Sequence, residues 1–170
     1  MWGALLLRGG GRDPGRTLPA GYDHGHADVT LGSGADTFAA ARDAVCAWAM
    51  FDLAWMELSR PDGPPAPGVC VAPVARTLGL WSVNVAQVVY LVDESRRFGF
   101  AYGTLPAHAE RGEEIFLVHH DADDVVRYDV RAFSRPQLWF SRIGKPIVAA
   151  RQRRFRADSC AAMRRAVTPG

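Results

Sequence analysis

The chain has almost no lysine and few cysteines. Of its 20 basic residues, 19 are arginines and the remaining one is Lys145. The three cysteines, at positions 46, 70 and 160, are an odd number and include no Cys-x-x-Cys pair. This pattern argues against a disulfide framework and against a zinc knuckle, and it is typical of the reducing cytoplasm. We therefore expect a cytoplasmic protein without a bound metal.

Long apolar runs and a strong net charge are also missing. No run of eighteen apolar residues occurs, so we expect no membrane span. The formal net charge of +2 is too small to indicate nucleic-acid binding. Residues 145–170 alone carry +6, seven cations against Asp158, which leaves −4 for the rest of the chain. This segment predicts a helix with solvated arginines, or else a surface for an anionic partner.

The spacing of apolar residues and the turn-forming residues predict a single domain over residues 21–167, preceded by a flexible arm at residues 1–20. Residues 22–34 resemble a strand and a turn, and the Ala-rich sequence after them predicts a helix over about residues 36–58. After Gly68, five short runs rich in Val, Tyr, Phe and Ile predict antiparallel strands with tight connections. The sequence from about Pro146 to Ala166 predicts a last helix.

Alternation along two of these strands predicts which side chains face inward. The apolar face of one strand carries Val126, Tyr128, Val130, Ala132 and Ser134. The aromatic face of another carries Phe98, Phe100, Tyr102 and Thr104, and its opposite face carries only Gly99, Ala101 and Gly103. A nearly bare face allows close approach of another element and lets the strand bend.

The order of elements predicts an α+β fold. A curved, glycine-punctuated sheet must bury its apolar face, and the last helix is the obvious partner. Strand, helix, antiparallel strands and a long C-terminal helix is the order of the helix-grip fold. In that fold a curved antiparallel sheet wraps the last helix and leaves a pocket between them.

Metal and nucleotide motifs are weak. His24 and His26 share one strand face, but beyond Asp23 and Asp28 no further ligand is evident nearby. The Gly-Ser-Gly at 32–34 lacks the rest of a dinucleotide fingerprint. We interpret both as turn or surface features and expect no metal and no cofactor. Without a clustered basic and aromatic surface, we expect no nucleic-acid partner.

Two adjacent carboxylates are the main candidates for chemistry. Glu113 and Glu114 follow each other in a strand and must point to opposite faces. A buried carboxylate has a raised pKa and can act as a general acid or base, or it can simply hold a backbone amide or an arginine. Tyr102 either lines a pocket, where its hydroxyl orients a ligand or donates a proton, or belongs to the core. His108 is either a solvent-facing loop residue or an acid or base at a pocket rim.

The stretch GFAYGTLPAHAERGEEIF at 99–116 carries a family resemblance. It resembles the signature of a plant and bacterial family, the domain of unknown function numbered nineteen-ninety. That signature is Phe-x-Tyr-Gly-Thr-Leu, a histidine four residues after the threonine, and Gly-Glu-Glu-x-Phe. Further similarities, which extend over nearly the whole chain from about residue 22, are Tyr22, Trp48, the Ser-Arg-Pro at 134–136, Pro146 and Gln152.

The resemblance implies a START-like, Bet v 1-like helix-grip fold and brings no established activity with it. It also implies a set of polar groups that belong to the site. These are Tyr102, Thr104, His108, Glu113, Glu114, Ser134, Arg135 and Gln152.

We interpret the chain as a protein that binds a small hydrophobic or amphipathic molecule in a sheet–helix cavity. The expected apolar lining is Phe98, Phe100, Tyr102, Tyr128, Val130 and Phe155, with Tyr102, Glu114 and Gln152 as polar groups. The alternative is a cyclase, isomerase or lyase on the same scaffold, with Glu114 or His108 as base and Tyr102 as acid. A third possibility is an interaction module that uses the basic last helix. The sequence predicts no particular oligomeric state.

Overall fold

The computed structural model describes residues 22–77, 80–105, 110–136 and 145–168. The predicted arm at residues 1–20 and the candidate His108 lie outside the described residues. The strands are β1 (Asp23–Ser33), β2 (Met56–Ser59), β3 (Cys70–Thr77), β4 (Leu80–Val83), β5 (Ala86–Glu94), β6 (Arg97–Thr104), β7 (Glu110–His120) and β8 (Val125–Pro136). The helices are α1 (Gly34–Cys46), a short 3-10 helix (Ala49–Phe51) and α2 (Lys145–Val167).

The strands form one antiparallel sheet in the order β1-β8-β7-β6-β5-β3-β2, with β4 paired to β3. Short hairpins connect β5 to β6 and β7 to β8, as the sequence predicts. The sheet curves into a half-barrel, and both helices pack on its concave face. The predicted α+β class, with a curved antiparallel sheet around the last helix, is confirmed.

The core lies between the concave face and the helices. Inward-facing residues of the central strands are fully buried, among them Phe100, Phe116 and Tyr128. Phe51, from the 3-10 helix, inserts between sheet and helix, with ring centroids 5.3 Å from Phe116 and 5.7 Å from Phe155. Aromatic pairs at such distances stabilise a core beyond the area they bury.

The first helix is shorter than the predicted 36–58 span, and that prediction is wrong in its second half. Helix α1 ends at Cys46, and Trp48 has a φ of 61°, in the left-handed region that ends a right-handed helix. The indole N–H of Trp48 donates to the Gly63 carbonyl at 3.0 Å, which secures the turn. The aromatic residues after Cys46 have near-helical spacing, but the 3-10 helix and the turns on either side of it place them at the core.

One of the five runs after Gly68 that predict strands, LWSVNVAQVVYLVDE, forms two strands, because the ladder breaks at Asn84. The Asn84 side-chain amide donates to the carbonyls of Pro73 and Ser82, each at 3.3 Å. Asparagine competes well for local backbone hydrogen bonds of this kind and interrupts a ladder. Strand β4 therefore pairs with β3, whereas β5 pairs with both β3 and β6.

Candidate functional site

A pocket of about 110 Å³ lies between the concave face of the sheet and helix α2. Its lining is mostly apolar, and a few polar side chains converge on it. The principal apolar residues are Phe51, Trp55, Met56, Ala86, Ala132 and Phe155. The polar residues of the lining are Asn84, Tyr102, Thr104, Glu113, Glu114, Ser134, Arg151, Gln152 and Arg156.

Tyr102 and Glu114 form the central polar pair. They are directly opposite each other in the antiparallel ladder of β6 and β7, so both side chains project from the same face. The Tyr102 hydroxyl donates to Oε2 of Glu114 at 2.7 Å. The pair is the polar centre of an otherwise apolar face.

The two groups of this pair differ in how they titrate. Burial raises the pKa of Glu114 to about 7, although the Tyr102 hydrogen bond and the positive charge of Arg156 lower it. Burial, and then the nearby Glu114 charge, hold the pKa of Tyr102 well above its usual value. Glu114 therefore exchanges a proton near neutral pH, whereas Tyr102 stays protonated and serves as a hydrogen-bond donor.

Helix α2 contributes a second group of polar contacts. Gln152 donates to the Ser134 hydroxyl at 3.1 Å, and Arg151 donates to the Ser82 hydroxyl at 2.7 Å. These contacts connect α2 to β8 and β4 and fix its side chains at the pocket. Thr104 is engaged within the sheet, since its hydroxyl accepts from the Gly112 N–H at 3.0 Å.

Four of the predicted lining residues lie in the closed core instead of at the pocket. Phe98, Phe100, Tyr128 and Val130 are at most 5% exposed and pack against the helices. The part of the concave face that they occupy is covered by α1, the 3-10 helix and the second half of α2. The pocket is therefore confined to the part of the sheet around Tyr102, Glu114 and Phe155.

Glu113 and Arg135 project away from the Tyr102–Glu114 face. The Glu113 side chain is 4% exposed and lies on the convex face, beside the small apolar cluster of Tyr90, Ile115 and Leu117. Burial raises the pKa of Glu113 to about 6, against a hydrogen bond from Tyr90 that lowers it. Arg135 is exposed, with its guanidinium carbon 5.1 Å from the Tyr22 ring centroid.

Two histidines of the sheet, His26 and His120, each pair with a carboxylate. Nε2 of His26 lies 3.4 Å from an Asp129 carboxylate oxygen, and Nε2 of His120 lies 2.7 Å from one of Asp124. Among the residues that the structure describes, no three His, Cys, Asp or Glu side chains are arranged to hold a metal ion. The same described residues include no helix long and apolar enough to cross a membrane.

Sequence reasoning did not identify Arg156, Asn84 or the apolar residues Phe51, Trp55 and Met56 as part of the site. Phe51, Trp55, Met56 and Asn84 lie in segments distant in sequence from Tyr102 and Glu114, and only the fold brings them to the same pocket. Arg156 could have been predicted from the sequence, because it follows Gln152 by four residues. On a helix that spacing places both side chains on one face.

The curved sheet, the long helix and the pocket between them define a helix-grip protein of the START and Bet v 1-like kind. Solved structures agree on the fold. A Thermus thermophilus protein superimposes with a TM-score of 0.62 at 12% identity, covering 85% of this chain and 97% of that one. An aromatase/cyclase from a Streptomyces species gives 0.62 at 13% identity, covering 86% and 93%. A norcoclaurine synthase of Thalictrum flavum gives 0.59 at 11% identity, covering 89% and 97%.

The chain belongs to the family of the domain of unknown function DUF1990, whose profile matches residues 10–162. A UPF0548 protein of Dictyostelium discoideum is 34% identical over 158 residues, which are 86% of this chain and 73% of that protein. One of Arabidopsis thaliana is 34% identical over 154 residues, or 84% and 72%. One of Deinococcus radiodurans is 53% identical over 79 residues, or 46% and 40%. The family resemblance is thus confirmed, and its members include eukaryotic as well as bacterial proteins.

Proposed function

We propose that the protein binds a small hydrophobic or amphipathic molecule in the pocket between the sheet and α2. The observation that carries this proposal is an apolar pocket with a hydrogen-bonded polar pair, Tyr102 and Glu114, on its sheet side. Ligand sites are commonly built this way, with apolar walls for affinity and a few polar groups for orientation.

The fold relatives support a ligand with a single aromatic ring. A norcoclaurine synthase structure with a TM-score of 0.57 and 10% identity to this chain is a complex with dopamine and hydroxybenzaldehyde. The pocket described above is small, and aromatic residues such as Phe51 and Phe155 line it. Phenol and benzamide are therefore suitable first probes, and hexanol is an amphipathic probe without a ring.

The test is to fill the pocket without changing its polar groups. Ala132 lies opposite Glu114 in the ladder and lines the pocket, so Ala132→Leu places three extra carbon atoms beside the polar pair. Ala161→Leu, at an exposed position of α2, adds the same atoms outside the pocket. Isothermal titration calorimetry with the three probes compares both variants with the unaltered protein.

We expect binding to fall at least about tenfold in Ala132→Leu and to stay unchanged in Ala161→Leu, because the added side chain displaces the ligand. Equal affinity in both variants would show that the probes bind elsewhere and would overturn the proposal. Failure of all three probes to bind the unaltered protein would count against it as well.

The titration of Glu114 favours a second candidate function, an enzyme of the isomerase or lyase type. A carboxyl with a pKa of about 7 suits proton transfer at neutral pH, and Glu114 would take a proton from a carbon next to a carbonyl. Tyr102 would orient the carboxyl. His108 lies outside the described residues and stays a predicted base.

Exchange of α-protons measures this second function directly. Phenylacetone in deuterated water should exchange faster with the protein than without it, as followed by proton NMR. Glu114→Gln should abolish the excess rate while probe binding persists, because glutamine fills the same space without accepting a proton. Exchange that is not accelerated, or that survives the substitution, would rule Glu114 out as the base.

A further inference from the structure

A row of four residues crosses the concave face at the pocket. The register of β6, β7, β8 and β1 places Tyr102, Glu114, Ala132 and Gly25 side by side. The first two are the polar pair, and the last two have almost no side chain. Since neighbouring strands are about 4.8 Å apart, Gly25 is roughly 10 Å from Glu114, with the space above Ala132 between them.

The guanidinium of Arg156 lies at the Gly25 end of this row. Helix α2 projects Arg156 over β1, and a Cβ atom at Gly25 would overlap the Nη1 and Cζ atoms of Arg156. Glycine is therefore required at this position for the guanidinium to rest against the strand. Arg156 lines the same pocket as Glu114, from the opposite end of the row.

Arg156 makes no hydrogen bond or ion pair with the residues that the structure describes. Asp158, two residues along α2, is already engaged, because it accepts from the Trp55 indole at 2.8 Å and pairs with Arg154 at 3.3 Å. The Arg156 charge lowers the pKa of Glu114, but the two side chains form no ion pair. A half-buried guanidinium in a pocket wall thus keeps its hydrogen-bond donors available.

We propose that Arg156 binds the anionic end of the pocket ligand, a carboxylate carried on a small apolar body, above Ala132. This inference rests on the proposed binding function and adds the chemical class of its ligand. Arginine donors match a planar carboxylate in a bidentate arrangement. The apolar body lies against Phe51 and Phe155, which line the same pocket.

The neighbouring Glu114 favours a monoanion over a dianion. At the Gly25 end of the row Arg156 supplies a single positive charge. The other pocket guanidinium, that of Arg151, donates to the Ser82 hydroxyl, and Glu114 in its charged form would repel the ligand. Protonated Glu114 instead has an O–H to donate to the ligand carboxylate, since its other oxygen already accepts from Tyr102. A phosphate dianion carries more negative charge than Arg156 alone compensates.

Pairs of probes with the same shape test the inference. Benzoate is compared with benzamide, hexanoate with hexanamide, and phenyl phosphate is the second oxyanion, all by calorimetry at pH 6. We expect each carboxylate to bind about tenfold or more tightly than its amide, and more tightly than phenyl phosphate. Arg156→Gln should remove that preference, because it weakens binding of the carboxylate far more than binding of the amide.

Two further variants distinguish the position of the Arg156 guanidinium from the net positive charge of α2. Gly25→Ala keeps the arginine but displaces its guanidinium, so it should weaken carboxylate binding more than amide binding. Arg153→Gln removes one positive charge from an exposed position of the same helix and should change nothing. A similar loss in Arg153→Gln and Arg156→Gln would attribute the preference to net charge and overturn the inference.

The two proposals fail in distinguishable ways. If amide and carboxylate bind equally and Ala132→Leu blocks both, the binding function stands and the role of Arg156 is wrong. Tighter binding of phenyl phosphate than benzoate would also overturn the carboxylate assignment. If no probe binds the unaltered protein, the binding function and the inference that depends on it both fail.

Discussion

At the scale of single residues, Glu114 is a carboxyl among aromatic rings, with one hydrogen-bond donor, Tyr102, and one nearby cation, Arg156. Both neighbours favour the charged form, whereas removal from water favours the neutral form. Burial outweighs them, because the pKa rises from 4.5 to about 7. The pKa of the Glu114 carboxyl is thus close to neutral pH, so the group is about half protonated there.

This balance predicts a pH dependence of stability. A carboxyl whose pKa is higher in the folded than in the unfolded state binds more protons when folded, so the free energy of unfolding falls as pH rises between the two values. For Glu114 that window runs from 4.5 to about 7. We expect Glu114→Gln to remove a loss on the order of 3 kcal/mol between pH 4.5 and pH 8, as measured by urea unfolding.

Other groups also contribute to that pH profile, so the variants must be compared with each other. Glu113, with a pKa of about 6, acts in the same direction, and His119, whose pKa burial lowers, acts in the opposite one. Burial raises the pKa of Tyr102 and of Tyr128 well above their usual values, away from this window. Glu57→Gln, at an exposed position, should keep the original profile. Identical profiles for Glu114→Gln and the unaltered protein would contradict the raised pKa.

The sequence predicted part of this site for physical reasons. Alternation requires Glu113 and Glu114 to point to opposite faces, and the family signature drew attention to Tyr102. Which of the two carboxylates faces inward depends on the face toward which the sheet curves, and that is a property of the assembled sheet. Arg156 becomes a pocket residue only because Gly25, 131 positions earlier, leaves room for it.

At the scale of elements, strand β6 shows what a bare strand face is for. The sequence predicted that Gly99, Ala101 and Gly103 would allow close approach of another element. In the structure this holds for Gly99 but not for Gly103. A Cβ atom at Gly99 would overlap the backbone oxygen of Phe116 in β7. At Gly103 the nearest atom would be a Val89 methyl carbon at 3.4 Å, which is an ordinary contact.

Substitution of these glycines should therefore have unequal effects. Gly99→Ala forces the backbones of β6 and β7 apart, so we expect it to lower the free energy of unfolding by roughly 3 kcal/mol. Gly103→Ala, the matched control in the same strand, should cost less than about 1 kcal/mol, since only a side chain must adjust. Urea unfolding at a fixed pH measures both. Equal destabilisation would mean that strand propensity, and not close approach, determines the cost.

The first helix shows the limit of periodicity. Phe38, Val45, Trp48 and Trp55 follow one another at near-helical spacing, and on that basis the helix was predicted to continue to residue 58. Beyond Cys46 those residues meet the core from a 3-10 helix and from the chain just before β2. The spacing of apolar residues in the sequence predicts that they are buried. It does not determine the backbone conformation that brings them to the core.

At the scale of the whole molecule, α2 is held by contacts distributed along its length. At its start Gln152 and Arg151 reach β8 and β4, and near its end Arg165 donates to the Asp52 carbonyl at 3.3 Å. The basic segment that the sequence singled out is therefore partly used within the chain. The packing of α2 against the sheet and against α1 closes the pocket.

The contact at the middle of α2 is the most deeply buried of these. Tyr128 of β8 and Ser159 of α2 are both 0% exposed, and their hydroxyl oxygens are 2.8 Å apart. A buried hydroxyl that loses its partner keeps the full cost of having left water, whereas removing both partners avoids that cost. The two hydroxyls should therefore be strongly coupled.

A double-mutant cycle tests this coupling between the sheet and the helix. We expect Tyr128→Phe and Ser159→Ala each to cost about 1–3 kcal/mol, because each leaves one hydroxyl buried and unpaired. The double variant should cost clearly less than their sum, with a coupling energy of about 1 kcal/mol or more. The same cycle on Thr37 and Thr168, whose hydroxyls each donate to the backbone carbonyl four residues earlier, should be additive. Additivity at Tyr128 and Ser159 would show that the aromatic and aliphatic contacts of α2, and not this hydrogen bond, hold the helix against the sheet.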